Sequence, residues 1–258
     1  MNIKRIFISI LRIFACTILV VLFVFNQSAN ALSLSQRIDQ FPEWKSKPTV
    51  RVAKGDLAYP EWMEGTWQVT STLLEQIAPL APDIVTPGFE SSQKDLNKPY
   101  NFRVRFGKNY FSPGKQFSIA GKIPVVADRA FNGQHIAEAY LGKENVLSVE
   151  VDPNNPNNQI TKLKGNRRLI AKVTSRAKET PQTDKFIATE VTQQLFRSNE
   201  RIYLNEVETT SAYHLLKPGQ IEVEQITAIY LSPQDPDYFT AVGRPVALYR
   251  YHLSLDKI

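Results

Sequence analysis

The stretch Tyr203-Leu204-Asn205-Glu206-Val207-Glu208-Thr209-Thr210-Ser211-Ala212-Tyr213-His214-Leu215 decides the fold. Tyr203, Asn205, Val207, Thr209, Ser211, Tyr213 and Leu215 alternate with Glu206, Glu208, Thr210, Ala212 and His214. A strand turns successive side chains to opposite faces, so the pattern predicts one long strand with the first set facing inward. That wall mixes aromatic bulk with hydroxyl and amide groups. It suits an amphipathic molecule with an apolar body and a polar head. The plainer account is a filled core whose hydroxyls satisfy one another.

The same texture recurs in Thr66–Glu75, Tyr100–Phe106, Asn145–Val151, Arg168–Arg176, Phe186–Phe196, Gln220–Leu231 and Val246–Leu255, and more weakly in Gln116–Lys122 and Gln159–Lys164. Phe102, Val104 and Phe106 oppose Arg103 and Arg105. Leu169, Ala171 and Val173 oppose Arg168, Lys172 and Arg176. Ile221 and Val223 oppose Glu222 and Glu224. One apolar and one charged face belongs to antiparallel sheet solvated on one side. Asp152-Pro153-Asn154-Asn155, Lys164-Gly165-Asn166 and Lys217-Pro218-Gly219 carry turn chemistry between these runs. Long strands joined in series by short turns predict an up-and-down meander. About eight such strands tend to close, because closure removes exposed edges. A two-sheet sandwich is the alternative. Two short helices are expected, Leu34–Gln40 capped by Ser33 or Ser35, and a turn or two capped by Asp128 through Gln134–Leu141, with Gly142 past its end.

The remaining chain supplies an address. Lys4 and Arg5 precede the apolar run Ile13–Phe25, and Ala29-Asn30-Ala31 offers small residues for a signal peptidase. Residues 1–31 therefore read as a cleaved signal peptide, 32–64 as a preamble and 65–258 as the barrel domain. Of the 31 Lys+Arg, Lys4, Arg5 and Arg12 leave with the leader, so 28 face 25 Asp+Glu and the charge falls from +6 to +3. Without a basic stripe carrying interleaved aromatics, no nucleic-acid partner is expected. Cys16, the only cysteine, lies in the leader, which removes disulfides and thiolate chemistry from the mature chain.

Glu64-Gly65-Thr66-Trp67 opens the first long strand after an irregular preamble. This arrangement resembles the calycin superfamily, the lipocalin-like barrels, whose first strand begins Gly-x-Trp. The resemblance implies that Gly65 lets the backbone bend and that Trp67 plugs the closed end of the barrel. It also implies a basic residue stacked over the indole, with Arg250 or Arg244 as candidates. The long, proline-stiffened loop Ile77–Phe89 would be a lid over the open mouth, or else a loop packed on the barrel wall. The wider stretch, from Pro42-Glu43-Trp44 through Tyr59-Pro60-Glu61-Trp62 to Pro87-Gly88-Phe89, resembles an uncharacterised cyanobacterial and chloroplast-lumen family. That resemblance implies a periplasmic or thylakoid-lumen location and brings no activity.

Candidate chemistry is sparse. His135, His214 and His252 share no zinc-site spacing. His252 lies in the last strand, and related nitrobindin-like barrels bind haem through a histidine near the C-terminus. Alternation argues against this, because Tyr249, Tyr251 and Leu253 form the apolar face and turn Arg250 and His252 outward. Glu190 is expected inward, beside Thr192, and an inward carboxylate is usually paired with arginine. Gly-x-Ser-x-Gly and phosphate-loop patterns are missing from the sequence.

The expected protein is an exported lipocalin-like barrel holding a small hydrophobic or amphipathic molecule, such as a lipid, isoprenoid or pigment, with no cofactor, metal or covalent step. The lid would contribute Ile84, Val85 and Phe89, and the wall Tyr203, Asn205, Thr209, Ser211 and Tyr213. Gly65, Trp67 and Arg250 would be structural. A second expectation is an assembly factor of the photosynthetic membrane. It would have a filled barrel and dock on a protein complex through the apolar loop or through Arg103, Arg105, Arg168, Lys172 and Arg176. A third is a small lipid- or isoprenoid-modifying enzyme.

Overall fold

Strand order around the sheet follows chain order. The computed structural model describes residues 32–110, 123–241 and 243–258. The leader and the window Gln116–Lys122 lie outside the described residues. Ser33–Ile258 forms one compact unit. Its strands are β1 (Arg51–Val52), β2 (Gly65–Ile77), β3 (Pro99–Gly107), β4 (Val126–Ala127), β5 (Val146–Asp152), β6 (Asn155–Leu163), β7 (Arg167–Gln182), β8 (Lys185–Arg197), β9 (Ile202–Lys217), β10 (Gln220–Leu231) and β11 (Ala247–Lys257). Its helices are α1 (Leu34–Asp39), α2 (Arg129–Leu141) and the single turn α3 (Tyr238–Ala241). The antiparallel path runs β4-β3-β2-β11-β10-β9-β8-β7-β6-β5, with β1 paired to β7. The fold is mainly β, as the alternation predicts, and it is a curled half-barrel.

Among the described residues the ladder does not close on itself, so the sheet is a half-barrel rather than the closed barrel that the strand number suggests. Between its two ends, β4 and β5, the chain inserts α2. Asp128 caps this helix by accepting from the Phe131 backbone N–H at 3.1 Å. One turn on, the Asn132 amide meets the edge of β3. It accepts from Arg105 N at 2.8 Å and donates to Arg105 O at 3.2 Å. A side-chain amide thus does what a neighbouring strand would do for that edge. On the other side α2 lies close to β5 and β6. A Cβ at Gly133 would stand 2.9 Å from Val149 Cγ1 and 3.0 Å from Gln159 Nε2.

The preamble wraps both faces of the sheet. Residues 34–48 cover the outer face, where Leu34, Ile38 and Trp44 pack with Ile187, Ile226, Tyr230 and Leu248. Ser33 and Gln36 cap α1 reciprocally. Its Arg37 reaches the fully buried Glu208 through two bonds of 2.7 Å, from Nε to Oε1 and from Nη2 to Oε2. The Tyr230 hydroxyl donates to Glu208 Oε2 at 2.8 Å, and the Arg37 guanidinium lies 3.9 Å over the Trp44 ring. The chain then passes through β1, which pairs with the part of β7 beyond the reach of β6, and enters the concave side. There Leu57 packs with Phe186 and Ala188, and Tyr59 bridges to Val125.

Trp67, fully buried with Met63, Val69 and Phe106, closes one end of the interior. Its indole N–H donates to Met63 O at 2.8 Å. The cation over its ring is Lys257 at 5.6 Å, neither Arg250 nor Arg244. β11 keeps its alternation, since the extra residue in the β2–β11 ladder, Leu74, belongs to β2. Arg250 therefore points outward, to Glu75, Glu224 and the Phe41 ring. Arg244 is bonded to the Ala241 and Thr240 carbonyls. Gly65, at φ +137°, leaves the space that Lys257 uses, as a Cβ there would stand 2.5 Å from Lys257 Cε.

Arg176 is a second correction. Alternation groups it with Arg168 and Lys172, but a bulge at Thr174 interrupts the β7–β8 register. Beyond the bulge the parity reverses, and Arg176 enters the interior.

Arg37→Met leaves Glu208 buried without its cation. We expect a loss of about 3–5 kcal/mol in unfolding free energy, measured as a lowered urea midpoint.

Candidate functional site

Beneath α2 the concave face leaves a cavity of about 220 Å³. β2 provides Val69 and Ser71, β3 Phe102 and Val104, and β10 Val223 and Gln225, while α2 roofs it with Asn132, Ile136 and Tyr140. The roof residues are four apart, so they share one helical face. Ile136 and Tyr140 remain 38% exposed, so the cavity reaches the surface along the C-terminal half of α2.

Its polar groups are neutral. The Tyr140 hydroxyl lies 3.0 Å from Ser71 Oγ, and the Tyr140 ring stacks on Tyr100 with centroids 4.5 Å apart. Gln225 accepts from Ser211 Oγ at 3.2 Å through Oε1, so its amide N–H groups are what it can offer a guest. Tyr59 and Tyr213 stand edge to face, centroids 6.2 Å apart. Burial pushes the Tyr213 phenol up to about 12 and drives Tyr59 in the same direction. Both stay protonated at neutral pH and remain hydrogen-bond donors.

Charge lies behind Tyr59, outside the cavity lining. Glu190 Oε1 is 2.9 Å from Arg129 Nη2 and 3.0 Å from Arg176 Nη2. Arg129 also faces Asp56 at 3.6 Å, and Arg176 donates to Gly55 O at 2.9 Å and to Asn157. Burial pushes the Glu190 carboxyl up, but the two guanidiniums pull it down further, and the net lies below the ordinary carboxylate value. A carboxylate held this way is a structural anion, poorly suited to accepting or delivering protons near neutral pH.

The sequence-predicted residues are dispersed. Tyr213 lines the cavity, and Ser211 stands one hydrogen bond behind it. Thr209, opposite Glu190 in the β8–β9 ladder, does not line it. Tyr203 lies at the other end of β9, its hydroxyl 3.0 Å from Thr86 Oγ1. Asn205 lines a separate groove of about 290 Å³. The loop Ile77–Phe89 is not the roof of this cavity. Ile84 packs with Leu231, Ala241 and Val246, Phe89 lies against Tyr249, and Val85 is 42% exposed. The loop covers the ends of β10 and β11, whereas the cavity lies toward Trp67, where α2 begins. His252 points outward to Glu222 and cannot reach a guest in the interior. Among the described residues no cluster of His, Cys, Asp and Glu is placed to hold a metal ion.

The description "Domain of unknown function (DUF6816)" matches residues 51–258. The chain belongs to that family. No curated protein matches the chain, and no solved structure matches it. The family's span begins at β1, so it includes the Tyr59 segment that fills the concave side as well as every described strand and α2.

Sequence reasoning missed Ser71, Asn132, Ile136, Tyr140 and Gln225. The spacing of Asn132, Ile136 and Tyr140 is the one signal that could have found the roof.

The depressed Glu190 carboxyl adds stability at neutral pH, where it is ionised, and that contribution fades as pH falls through its folded-state value. Glu190→Gln should flatten the acid limb of the stability–pH profile below about pH 4.5. It should also cost roughly 3 kcal/mol at pH 7. Chemical unfolding across pH checks both.

Proposed function

We propose that the protein binds a small, neutral, amphipathic molecule beneath α2, without covalent chemistry. The observation that carries this reading is the cavity itself, apolar in its walls, free of charged lining residues and edged by the hydroxyls of Ser71, Tyr59, Tyr140 and Tyr213. An apolar cavity of about 150 Å³ holds benzene. By that scale 220 Å³ admits roughly ten non-hydrogen atoms, an aromatic ring or short aliphatic chain with one polar head. Carotenoids and porphyrins are several times larger, so the guest class narrows to small alcohols, phenols and short isoprenoid alcohols. The next-neighbour strand order and the Trp67 plug support a lipocalin-like role. The leader pattern of residues 1–31 supports export to a periplasm or thylakoid lumen.

Melting curves with 4-ethylphenol and with ethylbenzene test the reading. At a ligand concentration about 100 times Kd, binding adds about 2.7 kcal/mol. The phenol should raise Tm more than the hydrocarbon, because only it can use the hydroxyl rim. Val223→Phe, which fills the cavity, should abolish both shifts while the protein still unfolds cooperatively. Ligand shifts unchanged in Val223→Phe would sink the proposal.

A further inference from the structure

Two rungs on the outer face of the sheet take no part in lining the cavity. In the first, Lys162 stands opposite Arg168, Arg168 opposite Arg197, and Arg197 opposite Ile202. Like charges set directly across a sheet destabilise it, so this row works against the fold. Lys162 is paired with Glu150 at 2.6 Å. Arg168 and Arg197 have no ion-pair partner among the described residues. The adjoining hairpin tips, tied by Asn166 Nδ2 to Asn199 Oδ1 at 2.9 Å, add Lys164, Arg167 and Arg201 against the single acid Glu200.

Two residues along each strand, and therefore on the same face, the second rung is aliphatic. Ile160 faces Ile170, Ile170 faces Leu195, and Leu195 faces Leu204. Ile170 of this rung is 39% exposed, and Ile202 at the end of the charged rung is 62% exposed. Ile170, Leu195 and Leu204 also wall the groove of about 290 Å³, with Lys172 at its side. Residues 34–48 pack over Ile187, Ile226, Tyr230 and Leu248 of this face, and these aliphatic residues are not part of that cluster.

From this juxtaposition we propose that the β6–β9 outer face docks on a bilayer surface rich in anionic phospholipid. Such a surface presents phosphate charge and accessible hydrocarbon together, and the two rungs match both parts. A soluble polyanion would satisfy the arginines and leave the aliphatic rung without a use. The inference is independent of the cavity's guest, since the two sites share no lining residue.

The test uses the compact unit Ser33–Ile258, sedimented with vesicles of equal parts phosphatidylglycerol and phosphatidylcholine, or of phosphatidylcholine alone. We expect binding to the mixed vesicles, weakening with salt, and little to the neutral ones. Arg168→Gln with Arg197→Gln should weaken it about 30-fold, the factor expected for two cations at a charged surface. Ile170→Ser with Ile202→Ser should weaken it several-fold at constant charge. Circular dichroism melts verify that both pairs of substitutions leave the protein folded. Equal binding to neutral vesicles, or no loss in the arginine variant, overturns the proposal. So does inorganic polyphosphate binding that displaces the vesicles while the isoleucine variant binds them normally, because that pattern marks a polyanion site.

Discussion

The amide of Asn132 is the contact on which the architecture turns. A curled sheet whose end strands do not pair exposes backbone donors and acceptors at both edges, and those edges must be satisfied or covered. Asn132 satisfies one residue of β3 on both its N–H and its C=O. Gly133 lets the same helix lie against β5 and β6. Because α2 stands where a strand would otherwise complete the ladder, the interior under it is not fully occupied. The cavity is a consequence of closing a half-barrel with a helix.

Buried polar networks brace the sheet on both faces, and the preamble supplies a member to each. Outside, Arg37 neutralises Glu208. Inside, Asp56 and Tyr59 stand beside the Arg129–Glu190–Arg176 cluster. Buried ion pairs are costly to desolvate and costly to break. They therefore tie the position of the N-terminal segment to the register of β7, β8 and β9 more strictly than apolar contact alone would. Arg129 extends this to α2, so the roof of the cavity and the strands behind it are held through one carboxylate.

Much of the fold was legible in local pattern. Apart from Gln116–Lys122, which lies outside the described residues, the strands fall on the windows of alternating residues, and Asp128 and Gly142 flank α2 as capping chemistry suggests. The candidate site was less so. Tyr213 could be placed by alternation alone. Arg176 could not, because the bulge at Thr174 leaves no mark in the residue types around it. The lipocalin-like resemblance implied that the loop Ile77–Phe89 is a lid, yet its side chains find partners at the ends of β10 and β11. The cation over Trp67 was expected from the last strand, but its position depended on strand parity and on the space at Gly65, which Lys257 fills.

Local sequence was enough for the long strands from β2 to β11, the capped helices α1 and α2 and the antiparallel, mainly β class, since period-two alternation and capping chemistry act over a few residues. It took the folded chain to settle that the ladder stays open among the described residues, that α2 fills the gap, and that the cavity lies under α2 rather than beneath the long loop. Those outcomes depend on contacts between residues far apart in the chain, such as Asn132 with Arg105, Arg129 with Glu190 and Ser71 with Tyr140. Their energies come from geometry that no local pattern encodes.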